Sequence, residues 1–178
     1  MRNQPTPPPP NPQSPIPTPP GNIISVGAFV VRDDQVLVVR LTYGPTKGMY
    51  SLPGGWLDVG EDIDTAAARE VQEETGVEAR CLGVIGLRVR ANVERSQTDL
   101  IWLLEHVSGE PRSDEEETDD ARFMSFDEVE SRDDIEEIVV KMVARYRAGT
   151  LQTLCHEGMN VDGAESATPE REEWKLFV

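Results

Sequence analysis

Runs of apolar residues along the chain predict a protein rich in β-strands. Four long runs of β-branched and other apolar residues predict strands, and Met49–Leu52 predicts a further short one. The four long strands are predicted at Ile23–Val31, Val36–Leu41, Glu78–Arg90 and Gln97–Val107. The last of them contains the segment TDLIWLLEHV and is apolar enough to be a central strand.

Polar segments and segments rich in glycine or proline separate these runs. Arg32–Gln35 is typical of a hairpin turn, and Thr42–Tyr50 predicts a loop. Pro53–Gly55 is expected to end the short strand, because proline lacks a backbone donor and glycine disfavours extended structure. Asp114–Asp120, which reads DEEETDD, predicts an acidic connecting loop.

Two segments carry apolar residues at helical spacing. Asp62–Thr75 is predicted as a helix, with Asp62 at the N-cap and Gly76 at the left-handed position after the last turn. Asp134–Arg147 is predicted as an amphipathic helix, and Ser125–Val129 as a short capped helical turn. The order of strands, helix, strands and helix predicts a mixed α/β or α+β sandwich.

The length of 178 residues predicts one domain with two tails. Residues 1–20 contain most of the 14 prolines and predict a disordered, semi-stiff arm. Residues 21–150 form the predicted domain, and residues 151–178 form a C-terminal tail whose structure the sequence leaves open. The spacing Pro7-x-x-Pro10 suits a polyproline-binding partner, and the alternative is a passive spacer.

Composition narrows the classes of function. The net charge is −16, from 33 acidic and 17 basic residues, so clustered cations for a nucleic-acid backbone are not expected. A small phosphorylated substrate remains compatible, because a divalent cation can lie between acidic side chains and an anionic ligand. Two cysteines without a CxxC pattern predict neither a zinc site nor a disulfide framework. Without an apolar leader or membrane-length segment, we expect no membrane association and a cytoplasmic location.

Three glutamates on the first predicted helix are the candidate chemistry. On a helical wheel centred on Ile63, the small apolar residues define an inward face, and Glu70 and Glu74 fall within about 20° of its centre. Glu73 lies about 80° to one side. Carboxylates three or four residues apart repel one another, and burial adds to the cost of ionising them. A bound Mg²⁺, or Mn²⁺ in its place, would offset that cost, while the alternative is an exposed acidic stripe.

The segment from Gly55 to Val77 resembles the signature of the Nudix hydrolases. That signature is G-x₅-E-x₇-R-E-U-x-E-E-x-G-U, where U is a bulky aliphatic residue. Gly55, Glu61, the Arg69-Glu70 pair, the Glu73-Glu74 pair and Gly76 occupy its fixed positions, and Val71 and Val77 its aliphatic ones. The resemblance implies an α+β protein with the Nudix fold, in which a mixed β-sheet is sandwiched between helices.

The resemblance also implies an activity and roles for residues. It implies hydrolysis of a nucleoside diphosphate linked to another group, giving a nucleoside monophosphate and a phosphorylated second product. Glu70, Glu73 and Glu74 would bind Mg²⁺ together with the Gly55 carbonyl. Arg69 would orient Glu73, and Glu61 would stabilise the loop or contact the metal through water. The catalytic base would be a helix glutamate or a carboxylate of the acidic connection, for which the candidates are Glu115, Glu116 and Glu117.

The substrate is less well defined by sequence. Trp56 could stack on a base or a ribose, or pack on the sheet, and Arg88 and Arg90 could contact phosphates or remain solvated. The sequence patterns that mark several Nudix branches are missing. We therefore expect only a class of substrate, which is a nucleoside triphosphate or an ADP-linked sugar. The alternatives are action on the 5′ end of an RNA and a catalytically silent nucleotide-binding module. A homodimer is compatible with the sequence.

Overall fold

A mixed β-sheet is the centre of the computed structural model, which describes residues 22–91, 96–159 and 174–177. The strands of this sheet are β1 (Ile23–Arg32), β2 (Gln35–Leu41), β3 (Tyr50–Ser51), β4 (Gly54–Trp56), β5 (Glu78–Ala91), β6 (Ser96–Ser108) and β7 (Thr118–Ser125). They run in the order β3-β2-β1-β6-β5, with β4 also paired to β1 and β7 also paired to β2. The β1–β6 pair is parallel and the other pairs are antiparallel. The prediction that Gln97–Val107 forms an interior strand is therefore confirmed.

Helices cover both faces of this sheet. They are α1 (Ile63–Thr75), α2 (Phe126–Ser131) and α3 (Glu137–Arg147). Alternate residues of β1 point to opposite faces, so Val30 packs in the core under α1 while Phe29 packs in the core under α2 and α3. The α+β class, with a mixed sheet between helices, is thus confirmed.

Short sequence patterns predicted the ends of several helices and strands correctly. Gly76 has the left-handed backbone, with φ of 69°, that ends α1 as predicted. Ser125 caps α2, because its side chain accepts a hydrogen bond from the Glu128 N–H. The hairpin turn predicted at Arg32–Gln35 is confirmed, because Arg32 pairs with Gln35 and the two residues between them form the turn.

The predicted end of the short strand at Pro53–Gly55 is confirmed, because β3 ends at Ser51. The sequence did not predict β4, in which Gly54–Trp56 pairs with β1 through a close approach that only glycine permits. The acidic connection was predicted to extend to Asp120, but β7 begins at Thr118. Its buried positions are Thr118, Ala121 and Met124, and the charged residues between them hide the strand pattern in the sequence.

The last helix begins later than predicted. The prediction placed its start at Asp134, but α3 begins at Glu137. The preceding residues instead bond to Tyr50: its N–H donates to the Asp134 carbonyl at 2.8 Å, and its carbonyl accepts from the Glu136 N–H at 2.9 Å. Sheet pairing therefore takes the backbone groups that a first helical turn would use.

Residues beyond position 150 continue the structure in part. The backbone of Leu154 pairs with that of Val84 on β5, through hydrogen bonds of 2.9 and 3.0 Å. Further on, β8 (His156–Met159) and β9 (Trp174–Phe177) form an antiparallel pair. The predicted arm, residues 1–20, lies outside the described residues. No helix in the described ranges combines the length and apolar character needed to cross a bilayer.

Candidate active site around helix α1

The inward face of α1 is the one predicted from its apolar spacing. Ala66, Ala67 and Val71 are fully buried against the sheet. The glutamates on and beside this face differ in exposure. Glu74 is only 4% exposed, whereas the side chain of Glu73 is 59% exposed. The three carboxylates therefore extend from the protein interior to the solvent along one side of the helix.

Two consecutive glycines of β4 let the sheet approach these carboxylates. The Gly54 N–H donates a hydrogen bond to Glu74 Oε2 at 3.0 Å. At Gly55, a Cβ atom would lie 2.4 Å from Glu70 Oε1, so any side chain there would displace that carboxylate. Gly55 pairs with Val26 of β1, whose side chain packs in the core under α1. The glycine that the signature places at position 55 thus has a steric explanation in this structure.

Arg69 joins the loop between β4 and α1 to the helix. Its guanidinium bonds both oxygens of Glu61, at 2.8 and 3.0 Å. It also donates to Glu70 Oε1 at 2.8 Å and to Glu73 Oε2 at 2.9 Å. A further bond of 3.1 Å reaches the Trp56 carbonyl. The predicted Arg69–Glu73 pair is present, and Glu61 is held by Arg69 in a bidentate ion pair.

Burial and mutual repulsion raise the pKa of the inner carboxyl groups. Burial raises the pKa of Glu74 well above its usual range; the Gly54 N–H opposes the shift, and Glu70 and Glu117 add to it. Burial also raises the pKa of Glu70, Arg69 acts in the opposite direction, and the charges of Glu73 and Glu117 raise it further. The site is therefore a region of excess negative charge that a cation would relieve.

The turn before β7 adds a fourth carboxylate. Burial raises the pKa of Glu117, against a hydrogen bond from Tyr43 that lowers it. The Tyr43 hydroxyl donates to Glu117 Oε2 at 3.0 Å. Glu115 and Glu116 are exposed, so among the three candidates in the acidic connection only Glu117 is partly buried. The charge of Glu117 contributes to the raised pKa of both Glu70 and Glu74, which places it beside the α1 cluster.

Asp114 shapes this turn and was not anticipated as a site residue. Its carboxylate accepts hydrogen bonds from the backbone N–H groups of Glu116, Glu117 and Thr118, at 2.9 to 3.1 Å through Oδ1. Aspartate side chains commonly bond the backbone a few residues further on, so Asp114 could have been identified as a turn residue. Tyr43 could not, because it lies 74 residues before its partner Glu117.

The donor set fits a hard divalent cation, although the described side chains are not gathered around one point. In the described residues, no group of three or more His, Cys, Asp or Glu side chains is close enough together to hold a metal ion. Glu70 and Glu73 instead share the guanidinium of Arg69. Carboxylate oxygens are nevertheless the ligands that Mg²⁺ and Mn²⁺ prefer, and glycine at position 55 leaves the Glu70 carboxylate unobstructed.

The residues predicted to contact substrate lie on the other face of the sheet. Direct cross-strand partners share a face, and Trp56 is paired with Ser25, Ser25 with Asp99, and Asp99 with Arg88. Gly55, the neighbour of Trp56, faces α1. Half-buried Trp56 and exposed Arg88 therefore face away from α1.

Both arginines on that face have local partners. Arg88 Nε donates to the buried carboxylate of Asp99 at 2.6 Å. Arg90, two residues further on the same face, donates to Gln97 Oε1 at 3.0 Å. The structure thus brings Arg69, Glu61 and the helix glutamates together with Glu117. Of Trp56 only the main-chain carbonyl reaches Arg69, and the side chains of Trp56, Arg88 and Arg90 face away.

The chain is similar to known proteins in sequence and in fold. A family model described as "NUDIX domain" matches residues 21–146. The chain is 24% identical over 130 residues to the "ADP-ribose pyrophosphatase" of Methanocaldococcus jannaschii, over 71% of this chain and 75% of that protein. It is 35% identical over 104 residues to the "NAD-capped RNA hydrolase NudC" of Pseudomonas aeruginosa, over 58% of this chain and 36% of that protein.

A solved structure and three further relatives define the extent of the similarity. The "NUDIX hydrolase from Nitrosomonas europaea" superposes with a TM-score of 0.64 at 25% identity, covering 75% of this chain and 93% of the other. Three relatives from Arabidopsis thaliana are matched over only 22 to 40% of their own length. The chain therefore spans less than half the length of several relatives that it matches.

Proposed function

The chain belongs to the Nudix hydrolase family, and on that premise we propose that it hydrolyses the diphosphate linkage of a small nucleoside diphosphate derivative with Mg²⁺ as its cofactor. The proposed substrate class is an ADP-linked sugar or a nucleoside triphosphate. The similarity to a protein named ADP-ribose pyrophosphatase supports the first of these.

The observation that carries this proposal is the cluster of carboxylates between α1 and β4. Glu74 is buried, Glu70 lies against Gly55, and the charge of Glu70 adds to the raised pKa of Glu74. Negative charge of this kind is stabilised when a divalent cation and the phosphates of a substrate share the site. The buried carboxylate of Asp99 has Arg88 as its counter-ion, whereas the buried carboxylate of Glu74 accepts a hydrogen bond from the Gly54 N–H.

Glu70, Glu73 and Glu74, with the main chain at Gly55, are proposed to hold the cation. When bound, a divalent cation neutralises phosphate charge and lowers the pKa of a coordinated water molecule. Arg69 holds Glu70 and Glu73 near each other from one side, and Glu61 keeps Arg69 in place.

Glu117 is proposed as the base. Its raised pKa brings it closer to neutral pH, where a carboxylate accepts a proton more effectively. In the proposed step the water oxygen forms a bond to phosphorus while the bridging P–O bond breaks. The electron pair of that bond leaves with the bridging oxygen, and one proton of the water passes to Glu117. The products are a nucleoside monophosphate and the phosphorylated second group, or pyrophosphate from a triphosphate.

The test is hydrolysis of a panel that contains ADP-ribose, UDP-glucose, NADH, GTP and dGTP, with MgCl₂, with MnCl₂ or with EDTA. We expect turnover with a divalent cation only. Glu73→Gln and Glu74→Gln should each lower kcat by more than the roughly 10–100-fold that loss of an outer-shell metal partner costs. Glu137→Gln, which removes an exposed carboxylate on α3, is the matched control and should keep wild-type rates. Wild-type rates in the Glu74 variant would overturn the assignment.

A second candidate is action on the 5′ end of an RNA. The similarity to a protein named NAD-capped RNA hydrolase favours it, and the net charge of −16 opposes it. Activity on a capped RNA that exceeds activity on every small nucleotide would favour this candidate. The absence of turnover on the whole panel, with nucleotide binding retained, would favour a catalytically silent binding module.

A further inference from the structure

The main chain of Glu117 is fixed by bonds from two directions. The Thr42 N–H donates to the Glu117 carbonyl at 2.9 Å, and the Thr42 hydroxyl is 2.9 Å from the same oxygen. On the other side, the Glu117 N–H donates to Asp114 Oδ1 at 3.1 Å. The position of the Glu117 backbone is therefore set without any contribution from its side chain.

The side chain of Glu117 is directed by Tyr43, the residue next to Thr42. The Tyr43 hydroxyl donates to Glu117 Oε2 at 3.0 Å. A glutamate has three rotatable bonds, so a fixed backbone alone leaves its carboxylate free to take several positions. The bond from the half-buried Tyr43 selects one of them.

Tyr43 is suited to this contact over a wide pH range. Burial raises the pKa of its hydroxyl above the ordinary value, and the negative charge of Glu117 raises it further. The hydroxyl therefore stays protonated and remains a donor. Because a carboxylate has two oxygens, one can accept this hydrogen bond while the other accepts a proton.

We propose that Tyr43 is a positioning residue, which holds the Glu117 carboxylate where it can take a proton from the attacking water. This proposal rests on the proposed function, since it assigns Tyr43 a role only through Glu117. Tyr43 lies in the loop between β2 and β3, outside the Gly55–Val77 motif, and is not itself a catalytic residue.

A double-mutant cycle tests the proposal in the full chain with Mg²⁺ and the best substrate of the panel. Tyr43→Phe removes the hydroxyl and keeps the ring. It should lower kcat about tenfold, the size expected when one hydrogen bond to a charged group is lost, and leave KM within about twofold. In a Glu117→Gln background the same change should have no further effect, because the group that it positions is gone.

Two controls separate positioning from a structural role. Tyr146→Phe removes a hydroxyl on α3, where the ring packs against Phe29 and Phe126, and should leave kcat unchanged. NMR titration of the Glu117 carboxyl should show a higher pKa in Tyr43→Phe than in wild type, since a donor to the charged form is lost. This second measurement does not depend on turnover.

Each outcome decides between the hypotheses. Equal kcat in wild type and Tyr43→Phe overturns the positioning role, and so do losses in Tyr43→Phe and Glu117→Gln that multiply in the double variant. An unchanged Glu117 titration overturns it as well, even if Tyr43→Phe lowers its melting temperature. If wild type hydrolyses nothing in the panel, the proposed function fails and this proposal fails with it. If wild type is active and the rate losses of the two single variants multiply in the double variant, the proposed function stands and only the role of Tyr43 is overturned.

Discussion

A methyl group added at Gly54 should lower stability, whereas one added at Gly55 should mainly lower activity. At Gly54, a Cβ atom would lie 2.2 Å from the Val26 carbonyl oxygen and 2.9 Å from the Gly27 Cα. The first distance is more than about 1 Å inside ordinary van der Waals contact. Both neighbouring atoms belong to the backbone of β1, so the clash is relieved only if the β1–β4 pairing moves.

The cost at Gly54 can be estimated from this geometry. Overpacking of a well-packed interior costs about 1–3 kcal/mol and sometimes more, and contacts with paired backbone belong at the upper end. At about 2–4 °C per kcal/mol for a chain of this size, Gly54→Ala should lower the melting temperature by about 6–12 °C.

At Gly55 the clash is with the end of a flexible side chain. A Cβ atom would lie 2.4 to 2.6 Å from the carboxylate atoms of Glu70, which can rotate away. Gly55→Ala should therefore cost less than about 1 kcal/mol of stability, as most substitutions outside the core do. A displacement of about 1 Å at a reacting centre can cost about 10²-fold in rate, so kcat should fall by about that factor.

Thermal unfolding followed by circular dichroism and steady-state hydrolysis measure the two effects. Gly86→Ala is the control, because a Cβ there would make contacts of 3.5 to 3.9 Å and strain nothing. A Gly54→Ala variant that melts within about 2 °C of wild type would refute the steric argument, since that is less than 1 kcal/mol. Wild-type kcat in Gly55→Ala would show that the observed position of Glu70 is not required.

Three further predictions concern single side chains. The pKa of buried Asp99 is lowered, because hydrogen bonds from Ser25 and Arg88 outweigh the burial that acts to raise it. Its stabilising effect is therefore present above the ordinary carboxyl pKa of about 3.9 and is lost as the pH falls through the lower folded value. Asp99→Asn should destabilise the protein by about 1–3 kcal/mol at pH 7, and urea titrations should show the difference shrink below about pH 4. Asp114→Ala removes the acceptor of three backbone N–H groups, so it should cost about 1–3 kcal/mol in the same assay and also lower kcat. Glu61→Gln should lower kcat about 10–100-fold, less than loss of a helix glutamate, because Glu61 acts by holding Arg69.

Helix α1 shows how much of the site was predictable from sequence. Its apolar spacing fixed which face is buried, and this alone placed Glu70 and Glu74 inward. The cap at Gly76 and the Arg69–Glu73 pair also follow from short-range rules. These features depend on residues within one or two turns of each other, so the sequence carries them directly.

Contacts that depend on strand pairing were beyond the reach of local patterns. Glu117 meets Tyr43 because β7 pairs with β2 in a register that sets Leu41 opposite Thr118. Seven acidic or polar residues in a row suggested a solvated loop, and only the pairing shows that the last three of them lie in the sheet. The opposite facing of Trp56 and Gly55 likewise required the register of β4 on β1.

The bonds of Arg69 explain why the carboxylates are dispersed in the structure and what cation binding would change. Glu70 and Glu73 each bond Arg69 through one oxygen, whereas Glu61 bonds it through two. A bidentate pair is the stronger of these contacts. If Glu70 and Glu73 turned towards a bound cation, Arg69 would keep Glu61 and the Trp56 carbonyl as partners. The guanidinium balances part of the negative charge in this structure, and its bonds to Glu61 would let the helix glutamates exchange one positive partner for another.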